Sequence, residues 1–343
     1  MALLWIDGFE GYGVVTGSYV SSSILAARGY SDVSSYTYIA AGKMFGYSIR
    51  NNVAHDSLNK VIFTTPALTT DSTLIAGCAF MFFGNNTSSI NFYDGATLGI
   101  NAILRPTAPS TLTLNLGAST ITTYSSFTMR YSEWYHLEMK VFCHPTSGTV
   151  EVRIDGVTVI SLTGINTQTG AHAYHDKVSL TGAQFNYLDD FYVCDGSGTT
   201  VNNLQGVCKV VGLLPNADTD TIEWTPSSGS THYNLVDSNP PNTSDYIFSS
   251  TQTNTDLYTY PDLIGTGTII GFQLNTQAML SDGTSIVLQT PVVSDGTTDL
   301  GPDYTLTSGT YTDFKHISTT NPHTGSVWTV DGLNAAQIGV RVM

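Results

Sequence analysis

Charge is scarce in this chain: only 11% of its 343 residues are Asp, Glu, Lys or Arg, against roughly 25% in an average soluble protein. Glu stands only at Glu10, Glu133, Glu138, Glu151 and Glu223. Long helices draw on Glu, Lys, Ala and Leu for their wet faces, so this shortage excludes a helical bundle. Lys and Arg number 12 against 27 acidic residues, a formal net charge of −15. Nucleic-acid binding depends on clustered cations that release counterions from phosphates, so no nucleic-acid partner is expected. No apolar run reaches the length of about 18 residues that a membrane helix needs, so membrane insertion is not expected either. Cys78, Cys143, Cys194 and Cys208 contain no Cys-x-x-Cys pair and therefore no zinc-site spacing. Free thiols made in a reducing cytoplasm are the expectation. Met1 to Ile6 runs straight into Asp7 without the basic region or cleavage site of an export signal, so the sequons at Asn85, Asn86 and Asn242 should be unused.

Ser, Thr, Asn and Gly fill the space that charge leaves, beside 19 Tyr and 14 Phe. That is the composition of short strands joined by Gly, Asn and Asp turns. Residues 134–162 give the clearest pattern. Tyr135, Leu137, Met139 and Val141 alternate with His136, Glu138 and Lys140, and Val150, Val152 and Ile154 alternate with Glu151, Arg153 and Asp155. A period of two marks half-buried strands. Pro145 and Gly148 lie between them, so the strands fold back on each other. Setting Val141 opposite Val150 places Met139 against Val152 and Leu137 against Ile154 on the inner face. On the outer face it sets Lys140 against Glu151 and Glu138 against Arg153, charge pairs contributing a few tenths to about 1 kcal/mol each. Asp155-Gly156 then reads as a two-residue primed turn into a third strand through Val157 and Val159.

Along the rest of the chain, residues 3–13 read as an opening strand broken by glycines, and residues 33–44 as a short helix. Residues 74–83 are apolar on both faces, the mark of a central strand. Strands are expected at 100–105, 112–116, 125–131 and 187–195, and another at 209–213. Residues 216–263 are polar and proline-rich and read as a long wrapped loop region with short strands, a length that usually signals function or packing against a neighbouring subunit. Alternation returns from Thr268, with hairpin turns at Asp282-Gly283 and Asp295-Gly296. Asp331 is placed to cap a helical turn before a last strand at 337–342. The fold class is therefore all-β: two antiparallel β-sandwiches in series, residues 1–207 and a smaller one over 208–343.

Catalytic patterns are thin. Retaining glycoside hydrolysis needs two carboxylates about 5 Å apart, and Glu133 and Glu138, five positions apart, fall on opposite strand faces. His172, Tyr174, His175 and Asp176 form the densest polar group, read first as a solvated loop and second as a metal or catalytic cluster. No Gly-x-Ser-x-Gly elbow or phosphate-binding glycine loop occurs. No enzyme activity is expected.

Residues 134–162, with their Trp-Tyr strand start and Asp-Gly turn, resemble the core of the concanavalin A-like (laminin-G-like) jelly roll, as does the closing strand Tyr187-Leu-Asp-Asp-Phe-Tyr-Val. The resemblance covers roughly residues 1–205 and implies that the first strand pairs with the last. It also implies calcium as the one candidate cofactor, since such domains hold it through carboxylate and carbonyl oxygens. Its ligands here would be Asp7 or Glu10 with Asp189 or Asp190, of which strand alternation lets at most one face the site. The competing reading is that the inward carboxylate accepts backbone hydrogen bonds. Leu214-Pro-Asn-Ala-Asp, Trp224-Thr-Pro, Asn321-Pro, Trp328-Thr and Gln337-Ile-Gly-Val-Arg-Val resemble a family of tailed-bacteriophage virion proteins. That resemblance implies a non-enzymatic structural protein of the virion, assembled in the host cytoplasm and displayed as a tail-fibre, baseplate or capsid-decoration subunit. Its partners would be other virion proteins and copies of itself, a trimer in a fibre, with a host-surface glycan as ligand. The alternatives are a polysaccharide-degrading enzyme and a free lectin-like carbohydrate-binding protein. Recognition is expected in loops 164–176 or 216–263.

Overall fold

The computed structural model describes residues 2–13, 16–31, 37–43, 46–51, 60–63, 70–182, 185–283, 285–307 and 309–343. The chain divides after Gly212 into two compact units, and no described helix is long and apolar enough to cross a membrane.

In the first unit two antiparallel sheets enclose one core. The first sheet runs Val157–Ile165, Gly148–Ile154, Trp134–Phe142, Thr73–Met81, Tyr187–Asp195, Tyr47–Asn51, Thr37–Ala41, and Leu3–Asp7 also pairs on Tyr187–Asp195. The second runs Ser119–Phe127, Ser110–Leu116, Thr97–Arg105, Ser88–Asp94, Lys177–Gly182, Lys60–Phe63, Tyr30–Ser31. Leu74, Ala76, Cys78, Phe80, Leu137, Met139 and Val141 from the first sheet meet Ile90, Phe92, Ile100, Ala102, Leu112, Leu114, Val178 and Leu180 from the second. Each large apolar side chain so buried contributes about 1.5–3 kcal/mol relative to exposure. This is the jelly-roll sandwich that the resemblance implies, and the opening strand does pair with the closing one, Asp7 opposite Phe191.

The central meander keeps the register read from its alternation: Leu137, Glu138, Met139, Lys140 and Val141 lie opposite Ile154, Arg153, Val152, Glu151 and Val150. Asp155 and Gly156 both have positive φ, 51° and 79°, as a primed turn requires. The outer charge pairing is corrected. Arg153 turns to Glu151 on its own strand (2.8 Å), Lys140 reaches Asn203, and Glu138 is fully buried. Pairing partners set which side chains are neighbours, but a covering segment decides which of them stay in water.

That covering segment is the exit from the first unit. The expected strand at 209–213 is absent; residues 203–210 instead cross the outer face of the first sheet. There the Gly206 N–H donates to Glu138 (2.8 Å), the Gln205 N–H to the Tyr192 hydroxyl (3.2 Å) and the Val210 N–H to Asp190 (2.8 Å). The Val210 bond ties the chain beyond 207 to the first unit, which extends to Gly212 rather than ending at the expected position after 207. The helix expected at 33–44 is corrected too. Thr37–Ala41 is a strand, and residues 33–36 and 44 lie outside the described residues. A helix forms at Ser22–Ala27 instead, where Ser21 accepts a capping bond from the Ser23 N–H.

The second unit has a sheet ordered Ala217–Ile222, Thr255–Thr259, Gln337–Val342, Ile286–Gln289, Tyr304–Leu306, with the Val292–Ser294/Thr297–Asp299 hairpin against Gln337–Val342. The ribbon Phe272–Ala278/Thr312–Ser318 covers it: Phe272 and Leu274 pack with Val292, Trp328 and Ile338, while Ala278 and Phe314 pack with Leu288 and Leu306. Residues 216–263 form a long wrapped segment with short strands, as expected, and two of these strands, Ala217–Ile222 and Thr255–Thr259, join the sheet. Asp256 organises the remainder: it accepts from the Glu223 and Trp224 N–H groups, His232 and the Tyr258 hydroxyl. The last helix, Val330–Asn334, is capped by Thr329 rather than Asp331.

Candidate functional site

The outer face of the first sheet has two regions. Beneath the exit segment, Glu138 accepts the Tyr192 hydroxyl (2.5 Å), and His136 lies stacked against Tyr192 with its Nε2 4.0 Å from the Cys208 thiol. Burial pushes His136 down to about 3. An acid, a phenol and an imidazole are thus gathered, but all three are buried under residues 205–208.

Farther along the same strands the outward side chains are partly exposed. Tyr38, Arg50, Tyr187, Met81 and Trp134 are successive cross-strand partners on five adjacent strands. Their inward neighbours Ile39, Ile49, Leu188, Phe80 and Tyr135 belong to or pack against the core, so alternation turns the row outward. At the usual strand spacing it spans roughly 20 Å. Further rings extend it. Tyr19, 60% exposed, lies tilted against Tyr38 at 4.2 Å, and Phe83, 40% exposed, lies 5.3 Å from Tyr187, which meets Trp134 edge-on at 6.3 Å. The Arg50 guanidinium sits among three rings, 5.6 Å from Tyr187, 5.8 Å from Tyr38 and 6.0 Å from Phe185. Its Nη1 donates to the Tyr187 hydroxyl at 3.2 Å, and its Nε is buried without a partner. Flat rings with fixed tilts beside a cation make a surface suited to flat, partly apolar, polar-edged ligands.

The second sheet presents a different outer face. Ser179, Asn91, Asn101, Asn115 and Thr120 line up across five strands. Asn91 is saturated by Ser89, Ser179 and Thr181, and Asn115 accepts from Thr120, while the Asn101 Oδ1 is buried without a partner. This amide row is mostly self-satisfied.

The acids expected to bind calcium are placed otherwise than alternation implied. Asp190 has φ 51° and the strand register shifts between Asp189 and Tyr192, so the two carboxylates no longer point to opposite faces. Asp189 accepts the Lys43 main-chain N–H (2.7 Å) and the Asp190 N–H (2.8 Å), and Asp190 pairs with the Lys43 ammonium (3.2 Å). Asp7 accepts the Tyr12 and Tyr30 hydroxyls and the Phe9 N–H. Burial raises its pKa above the ordinary carboxylate value, against those hydrogen bonds. Burial, then the Asp189 charge, pushes Glu10 up to about 9, and burial followed by Asp190 raises Asp189 to about 8. Among the described residues no group of three or more His, Cys, Asp or Glu is disposed to hold a metal ion. Protein donors thus engage the carboxylates of Asp7, Asp189 and Asp190.

The histidine loop is half solvated. His172 is exposed, donates its main-chain N–H to Asp94 (2.8 Å), holds Nδ1 2.7 Å from the same carboxylate, and stacks on Tyr174 at 4.8 Å. His175 is buried against Phe92 and pushed down to about 4 by desolvation. With Thr167 fully buried and bonded to Phe142 and His144, loop 164–176 is a clamp on the sheet end.

Trp134 and Tyr187 lie in stretches whose strands the alternation identifies, yet neither stands out as a site residue in sequence. Arg50 and Tyr38 carry no local signal at all, because the row forms only when distant strands are laid side by side.

No family model and no curated protein matches this chain. Among solved structures, alginate lyase Aly36B is similar at 15% identity and TM-score 0.39, over 53% of this chain and 93% of its own. A GH131 β-glucanase catalytic domain from Podospora anserina gives 14% and 0.34, over 59% and 100%. The galectin LEC-6 from Caenorhabditis elegans gives 10% and 0.28, over 41% and 99%. At these TM-scores the likenesses are too distant to assign an activity to this chain.

Proposed function

We propose that this protein binds glycans without cleaving them, through the aromatic row on its first sheet, as a component displayed on a tailed-bacteriophage particle. The observation that carries the binding reading is the line Tyr38–Arg50–Tyr187–Met81–Trp134, with Tyr19, Phe83 and Phe185 beside it. Pyranose rings offer an apolar C–H face to an aromatic ring and hydroxyls to polar neighbours, and a row of this length accommodates an extended chain rather than one sugar. The non-enzymatic reading is supported by the burial of Glu138, Tyr192 and His136, which no polymer can approach while residues 205–208 cover them. The virion reading is supported by the organisation of two sandwiches in series and by the resemblance carried by Leu214-Pro-Asn-Ala-Asp, Trp224-Thr-Pro and the closing Gln337-to-Val342 segment.

Glycan-array and calorimetric binding with the full chain test the first part. Trp134→Ala and Tyr187→Ala should each weaken binding about tenfold or more, that is ~1.4 kcal/mol. Asn101→Ala, on the other sheet, should leave binding unchanged. Binding to no glycan, or binding lost through Asn101 and kept without Trp134, would sink the reading. New reducing ends or unsaturated products from host polysaccharide would overturn the non-enzymatic assignment. Mass spectrometry of purified particles tests membership of the virion, which the protein's absence there would refute.

A further inference from the structure

We infer that the glycan is acidic, and that Arg50 receives a carboxylate of a hexuronate- or sialate-type sugar; this rests on the glycan-binding reading above. Arg50 is held from several sides. Its strand pairs with Tyr38 on one edge and Tyr187 on the other, three rings surround its guanidinium, and Nη1 is tied to the Tyr187 hydroxyl. Such a fixed fork loses little freedom when it binds, unlike a solvated arginine.

The charge itself is the second observation. The chain has 27 acidic residues and only 12 basic ones, and several of its cations are matched to acids: Arg153 to Glu151, Arg130 to Glu133 and Lys43 to Asp190. Among the described residues Arg50 has no carboxylate partner; its one side-chain hydrogen bond goes to a neutral phenol. A half-buried guanidinium in an acidic protein carries a desolvation cost that the rings offset only in part.

Geometry then selects the ligand's chemistry. The Nε edge is closed: that atom is buried and unbonded. Nη2 makes no hydrogen bond among the described residues and, unlike Nε, is not fully buried, so the end of the fork is left for a ligand. An end-on carboxylate can take hydrogen bonds from Nη1 and Nη2, charge-assisted and about twice as strong as neutral ones. The sugar ring that carries it then lies over Tyr187 or Tyr38, which flank the fork on the adjacent strands. A neutral hydroxyl at the same place leaves the cation uncompensated.

The test uses the full chain and three polyuronates, polygalacturonate, alginate and hyaluronate, each beside its carboxyl-reduced neutral form, with a sulfated galactan and a neutral β-glucan as further arms. The expected result is binding to at least one polyuronate that weakens tenfold or more on carboxyl reduction. Arg50→Gln should abolish that preference, and Arg50→Lys, a point charge without the fork, should restore only part of it. Equal binding of a polyuronate and its reduced form, or binding confined to the neutral or sulfated polymers, overturns the inference. The comparison of ligands on the unaltered chain needs no variant, so it decides the matter even if Arg50→Gln folds poorly. Neutral glycans bound through Trp134 and Tyr187 with Arg50→Gln silent would remove the acidic ligand alone, whereas no binding to any glycan removes the glycan-binding reading as well.

Discussion

Replacing Asp256 by Ala should destabilise the second unit more than any other single change in residues 216–263. The Asp256 side chain is fully buried and accepts four hydrogen bonds: from the Glu223 N–H (2.7 Å), the Trp224 N–H (2.8 Å), His232 Nδ1 (2.7 Å) and the Tyr258 hydroxyl (3.1 Å). Alanine leaves all four donors without an acceptor. Water reaches the two partly buried N–H groups, which limits their cost, but His232 and Tyr258 are buried. A buried donor stripped of its partner costs about 1–3 kcal/mol, and two such donors, His232 and Tyr258, lose theirs together. The combined loss should be about 3–5 kcal/mol, a large fraction of the ~5–15 kcal/mol that holds a domain folded. For a unit of about 130 residues this corresponds to a fall of roughly 10–20 °C in melting temperature. Asp256→Asn keeps an oxygen for the two main-chain N–H groups and should cost about half as much. Scanning calorimetry measures the shift, and hydrogen exchange at the Glu223 and Trp224 amides locates it. A fall under about 3 °C, or full protection of those amides in the alanine variant, would refute the role given to Asp256.

Two further predictions concern ionisation. His175 is pushed down to about 4 and His136 to about 3 by burial, while the unfolded chain keeps the ordinary value near 6.5. The unfolded state therefore binds more protons across that window, and stability present above pH ~6.5 is lost as the pH falls towards 4; His175→Gln should flatten this dependence in urea unfolding series. Glu10 acts in the opposite sense. Its folded pKa of about 9 means that the native state favours the protonated acid, so its contribution is present below pH ~4.5 and lost as the pH rises towards 9. Glu10→Gln should stabilise the first unit by on the order of 2–3 kcal/mol near pH 7, with no gain left at pH ~4.5; a gain that does not vary with pH would contradict the burial argument. The thiols give a simpler test. Cys78, Cys143 and Cys194 are buried, and the Cys208 thiol is pushed up to about 12, first by burial and then by the Asp190 charge. Ellman's reagent at pH 8 should therefore titrate all four only after denaturation, and fast reaction of Cys208 in the native protein would show that the exit segment lifts readily from the sheet.

The candidate site was legible in sequence only in fragments. Trp134 opens the strand whose alternation is clearest, and Tyr187 opens the closing strand, but nothing local distinguishes them from the other aromatics. Arg50 lies in a stretch without evident periodicity, and the rings around it come from residues 38, 185 and 187. The orientation of the two adjacent aspartates differs from strand alternation at a backbone detail. Strand alternation separates Asp189 from Asp190, whereas the left-handed conformation at Asp190 brings both to Lys43.

The sequence by itself determined the all-β class, the meander register and the primed turn at Asp155-Gly156, because these follow from a period of two and from which residues accept positive φ. It also determined that Leu137, Met139 and Val141 face the core. Only the tertiary structure decided what lies over the opposite face. Residues 203–210 bond to Glu138 and Tyr192, which are buried, whereas Tyr187 and Trp134 on the same two strands stay partly exposed, so one part became buried polar scaffold and the other a half-buried aromatic row. Alternation chooses the side of a sheet; the path of a remote segment chooses which part of that side meets water.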